Sequence, residues 1–293
     1  MSEKSYQLFT DSNSETPLEL IKKYNIPFVR MDYLIDGEEY FYDLGEHTDY
    51  KDFFSKVRNG SMPTTSTYPP SFYEDLFRPY LKEGKDILFL AFSSELSAAF
   101  GFLSTAAENL REEFPDRMVR LVNTRRISAP MAVVVIEAME RYDAGMELED
   151  LALWVEENYK RSHGYFTVDD LNHLKRGGRI SPAVAMVGTM MNVKPILAIN
   201  NEGKIVSLEK AKGRKKALHR IVELTVENAE NPEEHVLMIL HADCEDEALK
   251  LKSMIEEKLK FKDIYVQYVG PVIGTHCGPN TLAACFMGKV YSH

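Results

Sequence analysis

The run Asp86–Phe92, DILFLAF, constrains the fold more than any other stretch of the chain. It is apolar after its first residue, too short for a typical helix, and reads as a strand. Ser93-Ser94 follow at once, and helical spacing then runs from Glu95 to Phe114. The same order recurs through the first half. Tyr6–Thr10 reads as a strand, Asp11-Ser12-Asn13-Ser14 as a polar turn, and Pro17–Tyr24 as a helix. Phe28–Asp43 reads as a hairpin around Asp36-Gly37, a strong turn signal. Asp49–Arg58 carries Phe53, Phe54 and Val57 on one helical face. Met62–Pro70 is a Thr/Ser/Pro loop, and Ser71 is expected to cap a helix to about Leu81. Met118–Val122 is a further strand, Ser128 a candidate cap for the long apolar helix to Tyr142, and Glu147–Arg161 an amphipathic helix. Strands separated by helices of this length imply a mostly parallel sheet with helices on both faces.

The second half has a different rhythm. Gly164–Val168 reads as a strand, and Asp169 or Asp170 begins a helix that ends at Gly177-Gly178. Val193–Ile199 and Lys204–Leu208 form a hairpin across Asn201-Glu202-Gly203. A helix over Arg214–Ala229, a strand over Val236–His241, a helix over Glu245–Leu259 and a strand over Ile264–Val269 follow. GTHCGPN at Gly274–Asn280 is expected to open a short apolar helix. This half is α+β with a mixed sheet. The polar segment Lys160–His163 marks the expected boundary, giving an N-terminal α/β domain over 1–162 and a C-terminal α/β domain over 163–293.

Composition narrows the function. At 293 residues the chain is long enough for two domains, and its 44% hydrophobic content supplies a packed core. A formal net charge of −10 argues against broad nucleic-acid or anionic-membrane binding. Cys244, Cys277 and Cys285 lack CxxC spacing and are expected to be reduced thiols. MSEKSYQLFTDSNSE has no apolar signal-like core and no apolar run reaches membrane-span length, so a cytoplasmic protein without a membrane span is expected.

Several segments carry chemistry. Hydroxyl-rich turns stand at strand ends, at Thr10–Ser14, Ser93-Ser94 and Asn123-Thr124, with a Thr64-Thr65-Ser66-Thr67 run in a loop. Ligands of parallel α/β sheets bind beyond the carboxyl ends of the strands, and hydroxyls there suit a carboxylate or phosphate; any single one reads first as a helix cap, and it is their joint occurrence that points to a ligand. His276 lies between glycines, where backbone adds little bulk near a ligand. Leu171–Leu197 joins a cationic turn, Arg176-Gly177-Gly178-Arg179, to a methionine-rich helix with Met186, Met190 and Met191. That pairing suggests a ligand with a charged head and an apolar tail, although the methionines equally suit ordinary core packing. Lys210, Lys212, Arg214, Lys215 and Lys216 form a dense basic run, a solvated face or a docking patch for an acidic partner. His241, Asp243 and Cys244 match no zinc spacing, so no metal is expected. There is no GxxxxGK[ST], GxSxG, HExxH or GxGxxG.

Taken together, the chain resembles the DegV family of fatty-acid-binding proteins, which includes the carrier subunit of bacterial fatty acid kinase. The resemblance runs almost end to end. It rests on Thr10-Asp11-Ser12, Pro63-Thr64-Thr65-Ser66, Ser93-Ser94 with Leu96-Ser97, VDDLNHLKRGGRIS at Val168–Ser181, NVKPIL at Asn192–Leu197, KAKGRKKA at Lys210–Ala217 and GPVIGTHCGPN at Gly270–Asn280. It implies two α/β domains with a fatty acid in a tunnel between them. It implies carboxylate contacts from Thr65 and Ser94, with Thr64 and Ser93 as close alternatives, and a polar network reaching His276 and Arg179. It implies a carrier with no catalytic residues and no cofactor, whose acid is phosphorylated by a separate ATP-dependent kinase subunit. Met186, Met190 and Met191 are then candidates for the acyl-chain lining, and Arg176, Lys212, Arg214 and Lys215 for partner docking. The chain departs from the family pattern at Ala98 and Ala99, and at Pro130 and Ala132, where relatives often carry glycine or threonine. The rival readings are a stand-alone acyl hydrolase using Ser94 with His276 and a lipid-sensing regulatory protein.

Overall fold

The computed structural model describes residues 4–182, 184 and 192–291. The first half builds β1 (Tyr6–Asp11), β2 (Phe28–Val29), β3 (Asp32–Ile35), β4 (Glu38–Phe41), β5 (Thr64–Thr65), β6 (Asp86–Ala91) and β7 (Val119–Asn123). Four of these form a parallel sheet in the order β2-β1-β6-β7, and β4-β3-β5 form a small antiparallel sheet beside it. β6 is central, which is why its sequence shows no alternation: Ile87, Leu88, Phe89 and Leu90 are all fully buried.

The second half builds β8 (Ser162–Thr167), β9 (Val193–Ile199), β10 (Ile205–Lys212), β11 (Val236–His241), β12 (Asp263–Tyr268) and β13 (Leu282–Met287). They form one six-stranded mixed sheet, β10-β9-β8-β13-β11-β12, in which only β11 and β12 run parallel. Its side chains divide by the period of two. Leu197, Met238, Leu240, Ala283, Cys285 and Met287 join the core of the first half. Ile196, Ala198, Leu237, Ile239, Ala284 and Phe286 form a second core with the helices Arg214–Asn228 and Glu245–Glu256.

The helix Ser128–Asp143 lies between the two halves. Every residue from Ala129 to Met139 is buried. It packs on β8, β11 and β13 on one side, and on β1 and the turn Ser12–Ser14 on the other. A helix covered all round needs no polar face, which accounts for its near-continuous apolar sequence. Glu137 in this helix pairs with His235 at 2.5 Å, just before β11. A second tie is the buried Glu15, whose side-chain oxygens accept from Tyr42 Oη at 3.0 Å and from the Gly270 amide at 2.9 Å.

Five local expectations need correction. Ser71 and Ser128 make no capping bonds: Pro69 and Ile127 hold the cap positions, and Ser128 is instead the first helical residue, at φ +56°. The helix expected from Glu95 begins at Ala99; the residues before it form a turn whose Leu96 carbonyl accepts from Arg179 instead. Thr64 and Thr65 form a strand against β3 rather than a loop. The helix near His276 runs from Pro271 to Cys277, so GTHCGPN closes it. The apolar run after it, LAACFM, is β13, buried on both faces and therefore without alternation.

Candidate functional site: a largely apolar cavity

A cavity of about 240 Å³ lies between the carboxyl edge of the parallel sheet and the inner face of the mixed sheet. Phe92, Ile127, Pro130, Phe166, Ile199 and Val272 are among its apolar walls. Polar groups gather where β5, the helix Pro271–Cys277 and the Arg176–Arg179 turn meet. Thr65 Oγ1 and His276 Nε2 are joined by a 3.0 Å hydrogen bond, and Arg179 lines the same end.

Strand alternation explains the choice of threonine. Thr64 pairs with Leu34 and is exposed, whereas Thr65 pairs with Tyr33 and turns inward. His276 is held by close backbone approach: a Cβ at Gly177 would stand 2.4 Å from His276 Nδ1. The contact is reciprocal, since a Cβ at Gly278 would stand 2.4 Å from the His173 ring. The two glycine turns therefore interlock, each receiving the other segment's histidine. His173 in turn holds Arg176, at 3.0 Å between Nδ1 and Nη2.

The electrostatics favour an anionic head. Burial, with the nearby Arg179 guanidinium, pushes the His276 imidazole down to about 4, so it is neutral at pH 7. Arg179 donates only to the carbonyls of Leu96, at 3.1 Å, and Gly177, and has no carboxylate partner among the described residues. Burial lowers its pKa, and an anion beside it would restore the balance. His276 Nδ1 and Asn13 Oδ1, both on cavity-lining residues, are buried and have no hydrogen-bond partner among the described residues.

Thr65, His276 and Arg179 are thus brought together; Ser93, Ser94 and Thr64 are not. Ser93 is buried, but its hydroxyl donates to the Gly203 carbonyl at 2.8 Å. Ser94 is exposed and accepts from Asn123 Nδ2 at 2.8 Å, and no hydrogen bond joins it to His276. Sequence reading missed Asn13, Ser66, Thr67, Ser97 and Ser128, which also line the cavity. For Asn13, Ser66 and Thr67 the signal was present, because they stand in the two hydroxyl-rich segments singled out above. Met186, Met190 and Met191 lie outside the described residues. Of the docking candidates, Arg176, Lys212 and Lys215 are exposed, whereas Arg214 is half-buried and bound to Glu247 at 2.8 Å.

The thiols are not activated. All three cysteines are free, and burial pushes Cys277 up to about 12 and Cys285 higher still. Among the described residues no group of three or more His, Cys, Asp or Glu is placed to hold a metal ion, and no helix is long and apolar enough to cross a membrane.

Comparison with known proteins gives a consistent picture. A family model described as "Uncharacterised protein, DegV family" matches residues 5–289. A DegV domain-containing protein of Clostridium perfringens is 38% identical over 285 residues, covering 97% of this chain and 98% of that one. Among solved structures, a DegV family protein of Thermus thermophilus, described by its fatty acid binding, is 30% identical. It covers 97% of this chain and 100% of its own, with a TM-score of 0.87. DegV of Bacillus subtilis, described as a fatty acid binding protein, is also 30% identical, with coverage of 98% and 100% and a TM-score of 0.82.

Proposed function

The chain belongs to the DegV family, and from that membership we propose that it holds a long-chain fatty acid in the buried cavity, with the carboxylate at the Thr65–His276–Arg179 end. The observation that carries this reading is a cavity walled mainly by apolar side chains, with the hydrogen-bonded Thr65–His276 pair and Arg179 grouped at one place in its lining. Each buried methylene contributes about 0.8 kcal/mol, so some 15 of them contribute roughly 12 kcal/mol before the costs of binding. The head needs only orientation. A threonine hydroxyl, a neutral imidazole and one guanidinium suffice for that. The two lobes that enclose the acid are residues 1–162 and 163–293.

The second part of the proposal is presentation. The carrier works in the cytoplasm and has no phosphoryl-transfer site or cofactor of its own. A separate ATP-dependent kinase subunit phosphorylates the held carboxylate to an acyl phosphate. Arg176, next to the polar end, and the exposed Lys212 and Lys215 are the docking groups, with Arg214 as a braced neighbour. This favours the carrier over a hydrolase, because Ser94 is bonded to Asn123 and lies away from the cavity.

Organic extraction of the gently purified protein followed by mass spectrometry tests the first part: a C14–C18 acid is expected, and a protein that neither carries nor takes up such an acid overturns it. Adding ATP and purified fatty acid kinase subunit, then trapping with hydroxylamine, tests the second. Acyl hydroxamate is expected only with all components present. Its absence with every kinase tried, while the acid stays bound, overturns presentation in favour of lipid sensing.

A further inference from the structure

The cavity floor is the inner face of the mixed sheet, and the strand register lays it out in rows. Thr281 stands at the polar end, its hydroxyl donating to the Cys277 and Gly278 carbonyls at 3.0 Å each. Along β13, Ala283 then stands between Phe166 and Leu240, and Cys285 between Gly164 and Met238. Met287 follows, opposite Ser162. Ala283 and Cys285 line the cavity; Met287 is buried and does not. At about 3.4 Å per residue, Cys285 lies about 14 Å from Thr281 along the strand.

Ala283 and Cys285 are the small side chains of a floor that also carries Phe166 and Leu240, and Gly164, beside Cys285, adds no side chain. Pro130 closes this stretch of floor. A Cβ at Gly164 would stand 2.2 Å from Pro130 Cγ, so the proline ring already fills the space above that glycine. The ring is fixed from below, where Ser162 Oγ donates to the Pro130 carbonyl at 2.5 Å. On the flank, Ile199 pairs with Ile205, and both line the cavity. Apart from the Cys285 thiol and the Ser128 hydroxyl two positions before Pro130, the walls here are apolar, whereas the Thr65–His276 end carries an imidazole and the Arg179 guanidinium.

We infer that the Pro130–Gly164–Cys285 row is where the methyl end of the acid stops, and that Pro130 sets the longest straight chain the cavity takes. The inference rests on the fatty-acid reading above and adds to it the place where the methyl end stops and a length limit. Pro130 reads length by occupying the next position along the floor, and Gly164 is glycine because Pro130 needs that room.

The delipidated full chain, loaded with hexadecanoic acid carrying a diazirine at its terminal carbons and irradiated, tests this directly. Label is expected on Pro130 or Cys285 in peptide fragment spectra. Label on Thr65, His276 or Arg179 overturns the orientation while leaving fatty-acid binding intact; failure to bind the probe or hexadecanoic acid overturns the parent reading instead. Pro130→Ala is expected to shift preference from hexadecanoic toward octadecanoic acid by about tenfold, as two more buried methylenes would. Cys285→Met is expected to shift it toward shorter acids. An unchanged chain-length ranking in the folded variants overturns the role of Pro130, and the wild-type labelling stands even where a variant fails to fold.

Discussion

Thr64–Thr67 and Ser93-Ser94 look alike in sequence, two hydroxyl-rich segments beside the same sheet, yet the fold uses them differently. The first sends Thr65 to the cavity and to His276. The second fastens the two halves together. The Ser93 amide donates to the Arg126 carbonyl at 2.9 Å, and its hydroxyl meets the Gly203 carbonyl in the β9–β10 turn. Arg126, fully buried, reaches the Asn200 carbonyl at 2.9 Å and the Ser162 carbonyl at 3.2 Å. A hydroxyl's use is decided by which carbonyl or ring the tertiary fold brings within 3 Å, and local composition does not carry that information.

Changes in the fastening should therefore lower stability and spare the ligand, and changes at the polar end should do the reverse. The largest effect is expected from Arg126→Ala. It leaves buried carbonyls unpaired and should lower unfolding free energy by about 3 kcal/mol in urea titrations. Next comes Gly177→Ala, at an ordinary φ, where the added methyl displaces His276. It should weaken hexadecanoic acid binding by about 2 kcal/mol with little change in urea midpoint. Ser93→Ala should lower stability by about 1 kcal/mol and leave acid affinity unchanged. Loss of binding in Ser93→Ala, or of stability alone in Gly177→Ala, would break the contrast.

A smaller, graded effect is expected with pH. Burial raises Asp11 to about 7 and Glu15 to about 8. Their folded pKa values exceed the unfolded ones, so the folded state holds more protons between roughly pH 4 and 8. Stability from these groups is present at low pH and declines as pH rises through that window. Glu15→Gln should flatten the decline, read as the urea midpoint against pH. On the acid side the sign reverses. His276 and His163, both pushed down to about 4 mainly by burial, are neutral when folded, so stability falls as pH drops from about 6.5 toward 4.

Most strands and helices were legible because their patterns are local. β6 is a buried run, and the β3–β4 hairpin announces itself at Asp36-Gly37. β13 was not: Leu-Ala-Ala-Cys-Phe-Met, covered on both faces, has no period to read, and its alanines suit a helix equally well. The Pro271–Cys277 helix carried proline at its first position and glycine just past its end, at φ +75°, but its glycine-rich close obscured it. At the candidate site, His276 stood out between its glycines and Arg179 in its cationic turn, and their grouping with Thr65 was implied by the family resemblance. The interlock of Gly177 with His276 and of Gly278 with His173 was not, because it joins segments about 100 positions apart in the sequence, and only packing brings them together.

The most direct test of the central claim is calorimetric titration of hexadecanoic acid into delipidated wild type, Thr65→Ala and Ser94→Ala. The account predicts one acid per chain, a loss of about 1–3 kcal/mol for Thr65→Ala, and no change within about 0.5 kcal/mol for Ser94→Ala. Wild-type affinity in Thr65→Ala together with lost binding in Ser94→Ala would contradict it.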